Sequence, residues 1–337
     1  MYPNVIFLRT LNNSNTLSVN TTASVANHRS VKLAILLPCQ VLSLLFSLFI
    51  FMNVVHGSYK LFRPVRNHFI AILLITGFIQ VSTELSMVEN YLHTGVVRPS
   101  TPSYCSFFNW FEFSLNGISL HVMFWTSIER HILIFFHASL RTPWKCLLFH
   151  YIPLLTSVAY APSIYGYFIF IYECVNHWDY NELLCTAPCF YENKLFGIVT
   201  WLANIIIPAF SIAAANIILI VRVTCRSADL QINIRRIKKN RKMTIQLLGI
   251  SSLFLIFWLP ISVTGLIQQF FSPTFLIDVQ FNVFFYLIYF IQLFLPFVCF
   301  VSLPELKSRM KQYIRRLQGR NAIGAMITLQ VAPTMRY

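Results

Sequence analysis

Long runs of apolar residues alternate with short polar segments along this chain. Seven runs stand out, at roughly 33–57, 66–92, 104–136, 146–171, 194–221, 243–271 and 279–303. A helix rising 1.5 Å per residue needs about 20 mostly apolar residues to cross a hydrocarbon core. Each run is long enough. Strands of an outer-membrane barrel would be about 10 residues long and would alternate apolar with polar, unlike these runs. The expected fold is an all-α membrane protein, a seven-transmembrane helix bundle over 32–303. A polar tail, 1–31, precedes it. A segment over 304–337 comes after it, opening with a short amphipathic helix expected on the inner membrane surface. No tandem repeat is visible. The tail has no apolar core of its own, so the first span is expected to act as the insertion signal.

Composition strengthens this picture. Of 337 residues, 56% are hydrophobic and 11% charged, too little charge to cover a soluble domain of this length. Charge also sets orientation. With the N-terminus outside, the cytoplasmic segments hold 21 of the 26 basic residues and only Glu129, Asp229 and Glu305 among the acids. The inner side is then +18 and the rest −3. This is the positive-inside asymmetry, and it predicts a multi-pass plasma-membrane protein with a cytoplasmic C-terminus. The basic face is expected to meet anionic lipid headgroups, so the net charge of +15 calls for no nucleic acid. Arg29 and Lys32, just outside the first run, dissent locally. Two N-x-S/T triplets, at Asn12 and Asn20, lie in the tail assigned outside and are expected glycosylation sites.

The eight cysteines divide by side. Cys39 and Cys299 fall within runs, and Cys146 and Cys225 lie near inner ends, where free thiols are expected. Cys105 opens the third run on the outer side, and Cys174, Cys185 and Cys189 lie in the loop after the fourth. Four cysteines allow three pairings. The favoured one joins Cys105 to Cys185 and leaves Cys174 for Cys189, with Cys189 as the alternative partner of Cys105. Either bond from Cys105 would pin the loop over the mouth of the bundle.

Chemistry concentrates at a few positions. Glu129, Arg130 and His131 end the third run at the inner side. An arginine at that depth needs a partner or a protein interior. Glu129 can hold it while the helices are closed, which would make the pair a switch, although an arginine snorkelling to headgroups gives the same pattern. The sixth run carries Phe254-Leu-Ile-Phe257-Trp258-Leu-Pro260. Proline removes a helical hydrogen bond and kinks the helix, so Pro260 can give the inner half of that span a lever. Trp258 would fill the space beneath a pocket.

Together these features resemble the rhodopsin-like G-protein-coupled receptors. The sixth-run motif is similar to that family's F-x-x-C-W-x-P, with Phe257 in place of cysteine. The family's third span carries D/E-R-Y and a cysteine 25 residues before its arginine, and Cys105 precedes Arg130 by that interval. Pro208 matches the fifth-span proline. Leu295-Pro296-Phe-Val-Cys299 is similar to the seventh-span N-P-x-x-Y, and the basic segment from Pro304 resembles the short eighth helix. The likeness covers about 32–318. It implies an extracellular ligand, coupling to a heterotrimeric G protein and no cofactor. Arg130, with Glu129, His131, Phe254, Pro260 and Pro296, would form the switch. The departures are specific. Gly77 stands where the family keeps a buried aspartate, and Leu295 replaces the seventh-span asparagine. These two groups normally help hold a sodium ion, so their loss implies that the site is missing even though Ser119, at a third member's position, remains. His131 and Cys299 replace tyrosines.

Glu84, Glu89 and Glu112 are ionisable residues in the outer halves of runs two and three, which makes each a functional candidate. Glu112 precedes Arg130 by 18 residues, five helical turns, so the two share a face. The resemblance implies that Glu112 pairs with a ligand ammonium, as an aspartate does in the family's amine receptors, with Tyr289 in support. Trp258, Trp201, Asn204, Gln268, Tyr91 and Asn282 are candidates to line the same mouth. A carboxyl held only by internal hydrogen bonds is the competing reading. The expected ligand is a small cationic amine, with a peptide as the alternative.

Other functions fit less well. Run seven has no lysine for a retinal Schiff base. No charged track or broken mid-depth helix suggests a channel or transporter. No metal-ligand cluster or nucleophile motif suggests an enzyme. A seven-helix protein that no longer couples, acting as a scaffold or decoy, stays open because of Gly77, Leu295 and Cys299.

Overall fold

The computed structural model describes residues 20–57, 68–135, 142–229, 234–272 and 274–302. Among them there are seven long helices and no strand. These are α1 (Asn20–Gly57), α2 (His68–Thr94), α3 (Pro102–Phe135), α4 (Pro143–Ile171), α5 (Lys194–Arg222), α6 (Ile234–Phe270) and α7 (Ile277–Val301). Asn12 and the amphipathic segment from Pro304 lie outside the described residues. Asn20 opens α1, whose apolar part begins only at His28.

Six of these helices, all except α3, are long and apolar enough to cross a membrane, which makes this a multi-pass membrane protein. Side chains such as Leu45, Leu155 and Ile256 point outward at 58%, 70% and 64% exposure, as lipid-facing positions do. α3 is long but more polar, and its surroundings explain why. It packs against α2, α4, α5 and α6. Its buried positions include Asn109, Glu112, Ser114, Ser119, Thr126, Ser127, Glu129 and Arg130. A helix surrounded by protein can carry polar groups that lipid would exclude.

Small residues set the closest approaches. A Cβ on Gly117 would lie 2.4 Å from the Ala161 methyl, so α3 and α4 touch nearly backbone to backbone. A Cβ on Gly265 of α6 would lie 2.5 Å from the Trp201 indole of α5. Large side chains fill the rest of the inner core, with Phe69, Leu73, Leu120, Met123, Phe254 and Trp258 packed as one cluster.

The helices are not uniform. Wide π turns occur at Gln80–Glu84, Leu147–Tyr151, Tyr167–Ile171, Leu202–Ile206 and Gln280–Phe284. A π turn inserts one residue and rotates the rest of the helix, which re-aims its side chains. Four of the five carry a buried polar side chain: Gln80 and Glu84, His150, Asn204, and Gln280. Proline adds further breaks. Pro153 has no N–H for the Phe149 carbonyl one turn back, and the Trp125 indole of α3 donates to that oxygen at 3.2 Å.

The loop between α4 and α5 lies over the end of the bundle where α3 begins, which takes the label outer from the expected orientation. Disulfides join Cys105 to Cys185 and Cys174 to Cys189, so of the three pairings the structure has the favoured one. Asn109 Nδ2 of α3 donates to the Leu184 carbonyl at 2.5 Å, and Val97 N donates to the Tyr180 carbonyl at 2.7 Å. Leu184, Cys185 and Thr186 have positive φ, a strained turn that these anchors hold.

Candidate functional site

The outer polar site is built by α2, α3 and α7. Glu112 is 8% exposed, and both of its carboxylate oxygens have donors. Asn116 Nδ2, one turn along α3, donates to Oε1 at 2.9 Å. The Tyr289 hydroxyl of α7 donates to Oε2 at 3.0 Å. The Asn116 carbonyl oxygen accepts from Gln80 Nε2 of α2 at 2.9 Å, and the same Gln80 nitrogen lies 3.3 Å from Glu84 Oε1. The π turn Gln80–Glu84 aims both residues inward, and both are buried. The Glu84 and Glu112 carboxyls are neighbours that interact directly. Glu84 Oε2 and Gln80 Oε1 are buried without a hydrogen-bond partner. The network runs Tyr289–Glu112–Asn116–Gln80–Glu84 across three helices. Its unpartnered atoms, Glu84 Oε2 and Gln80 Oε1, are both oxygens that a donor-bearing group could meet.

The other pocket candidates divide. Trp258 and Trp201 belong to the apolar core below this site. Asn204 is buried but donates to its own helix, to the Thr200 carbonyl at 2.9 Å. Gln268 sits at the outer end of α6, where its amide nitrogen donates to the Phe275 carbonyl at 2.7 Å and to Gln280 Oε1. Tyr91 donates to the Asn181 carbonyl of the outer loop at 3.1 Å, and Asn282 is exposed. Glu89 is buried, but no hydrogen bond connects it to the Glu84–Glu112 network. Of these candidates, only Glu84, Glu112 and Tyr289 come together. The dissenting bases are also accounted for. Lys32 stands over the Tyr286 ring at 3.8 Å, and Arg29 lies against Gly95 at the end of α2.

The inner end is organised by histidines. His150 Nδ1 of α4 lies 2.6 Å from Glu129 Oε1, a buried pair. His150 Nε2 lies 3.0 Å from His68 Nδ1 of α2. The partner that the structure shows for Glu129 is thus His150, on a facing helix. Adjacent residues on a helix point about 100° apart, so a facing helix supplies the contact more readily than a chain neighbour. Arg130 is buried at 3% exposure, and His131 Nε2 donates to the Ala215 carbonyl of α5 at 3.0 Å. Phe254, fully buried, and Pro260 and Pro296, inside α6 and α7, lie in the inner and middle bundle.

Between the two ends, Gln292 of α7 fills the space beside Gly77. A Cβ on Gly77 would lie 2.7 Å from Gln292 Oε1, while Gln292 Nε2 donates to Ser119 Oγ at 3.1 Å. A neutral amide thus occupies the crossing of α2, α3 and α7.

Sequence reasoning missed Gln80, Asn116, His68, His150 and Gln292. Some signals were present. Asn116 lies one turn after Glu112, and Gln80 lies one turn before Glu84, so each shares its acid's face. His150 is an ionisable residue within a span, the kind of position that marks a functional candidate. Gln292 had no such signal, because its role depends on the side chain that Gly77 lacks. No family model matches the chain, and no curated protein matches it.

Proposed function

We propose that this chain is a divergent rhodopsin-like G-protein-coupled receptor of the plasma membrane, with the N-terminus outside and glycosylated at Asn12 and Asn20. It binds an extracellular cationic ligand, an amine or a peptide, and activates a heterotrimeric G protein by outward movement of α6. The observation that carries the reading is Glu112. A carboxylate buried in the outer half of the bundle accepts from Tyr289 at 3.0 Å, on the helix that carries Arg130 five turns further in. A cation entering there would compete with Asn116 and Tyr289 for Glu112. It would thereby pull on α3 and α7 together. Glu129, Arg130 and His131 lie at the other end of the same rigid helix, and His150 and Ala215 hold that end to α4 and α5. The kink at Pro260 would let the inner half of α6 swing.

Reconstitution with purified G proteins tests the reading. A panel of amines and amidated peptides should include one that stimulates nucleotide exchange on the wild type. Arg130→Ala should reduce that exchange while binding persists. If no G protein responds to a ligand that does bind, the receptor reading fails. The second reading, a seven-helix scaffold or decoy, then takes its place. The filled crossing at Gln292 and Ser119 favours that alternative, since it joins α3 and α7 where movement would be needed.

A further inference from the structure

The acceptors around Glu112 outnumber what a simple ammonium needs. Glu112 has a donor on each oxygen, yet a carboxylate offers about four lone-pair sites. Glu84 has one oxygen near Gln80 Nε2 and the other bare. The Gln80 carbonyl oxygen is bare and buried as well, with its amide nitrogen already anchored in the network. No lysine or arginine among the described residues pairs with either carboxyl. Two adjoining buried carboxyls can share one proton between them, and the acceptors still bare beside them suit a cation that offers several donors at once.

We infer that Gln80, Glu84 and Glu112 form a two-carboxylate subsite for a guanidinium or amidinium group. The inference rests on the cationic-ligand reading of Glu112 and narrows it. An ammonium is a point charge whose three donors diverge. A guanidinium presents five donors in one plane, on edges that match carboxylates. One edge can face Glu112 while another meets Glu84 Oε2 and Gln80 Oε1. The source can be a free alkylguanidine or the arginine side chain of a peptide, and both bring the same group to the same oxygens.

The test uses purified full-length protein in lipid nanodiscs and reads thermal stabilisation against probe concentration. Butylguanidinium and butylammonium have the same charge and chain, and N-acetyl-arginine amide represents the peptide source. On wild type, butylguanidinium should act at concentrations on the order of 30-fold below butylammonium. Glu84→Gln should remove that preference, so that the two butyl cations act on this variant over the same concentration range. Glu112→Gln should weaken both. Gln80→Met removes a bare acceptor without touching charge and should narrow the preference, so it decides the matter if Glu84→Gln does not fold. Stabilisation by N-acetyl-arginine amide beyond that by butylguanidinium supports a peptide source, and the reverse order supports a free guanidine. Equal response to the two butyl cations, or a preference that survives both α2 variants, overturns the subsite and leaves the cation reading standing. Absence of any response, or responses unaffected by Glu112→Gln, overturns both.

Discussion

Replacing His150 with Leu removes the imidazole that lies 2.6 Å from the buried Glu129 carboxyl. Breaking a buried pair by removing one partner costs about 3–5 kcal/mol, because the other charge stays buried and uncompensated. His150→Leu should therefore lower the melting temperature. Adding Glu129→Gln should recover part of the loss, since the lone charge is gone. Additive losses in this double-mutant cycle would show that the two residues are not coupled. Tyr289→Phe makes a smaller change at the other end. It removes one donor from Glu112 and should cost about 1–3 kcal/mol in stability. If Glu112 meets a ligand cation, the same variant should bind that cation at least as well, because one internal competitor is gone. Calorimetric melting and probe titration read the two effects separately. At this scale the acids were legible in the sequence, with Tyr289 beside Glu112, and their other partners were not. Glu112, Glu84 and Glu129 are marked by charge at membrane depth. Gln80, Asn116, His68 and His150 acquire roles only when α2, α3 and α4 are side by side. Adjacency in the chain pointed to Glu129 beside Arg130, and it gave no hint of His150, which reaches Glu129 from a facing helix.

At the scale of the helix, the contact between α3 and α4 turns on a single methyl. A Cβ on Gly117 would lie 2.4 Å from that of Ala161, and real Cβ atoms do not approach so closely. Gly117→Ala should force the helices apart, at about 1–3 kcal/mol for overpacking. Ala161→Gly added to it moves the methyl to the other helix and should restore most of the stability. A double variant no more stable than Gly117→Ala alone would mean that the strain lies elsewhere. The apolar runs made the seven helices readable, because length and apolarity are properties of a segment by itself. The π turns were not readable. Each swaps the i−4 hydrogen bond for i−5 over about one turn, and tertiary contact decides between them. Yet these turns aim Gln80, Glu84 and His150 inward, so the candidate sites depend on the least legible feature of the fold. The loop disulfides fall between these extremes. The cysteines were evident, and their partners depended on where the loop lies over Asn109 and Val97.

For the whole molecule, the decisive question is whether α3 crosses the membrane, since six crossings put both termini on one side and seven put them on opposite sides. Composition leaves α3 out of the crossing set, but its contacts argue for including it. α4 is apolar enough to cross, and α3 runs antiparallel along it. Trp110 Nε1 donates to the Pro162 carbonyl at 3.0 Å, Gly117 meets Ala161, Ser157 Oγ donates to the His121 carbonyl at 3.5 Å, Trp125 meets Phe149, and Glu129 meets His150. From Trp110 to Glu129 a helix rises about 28 Å, close to the ~30 Å hydrocarbon thickness that α4 must cover. The ends agree with this. Cys105 is bonded to the loop after α4, and Glu129 is paired near the start of α4. A match to a spanning neighbour over that length is what a seventh crossing would require. With seven crossings, the charge asymmetry predicts an N-terminus outside. An epitope placed after Tyr337 should be reached by antibody only in permeabilised cells. An epitope before Met1 should be reached on intact cells, and Asn12→Gln with Asn20→Gln should abolish any glycosidase-sensitive mobility shift. Both epitopes accessible on intact cells, or both hidden, would mean an even number of crossings. Such a result would remove α3 from the membrane and the Glu112 site with it, since the α2 and α7 partners of Glu112 both cross.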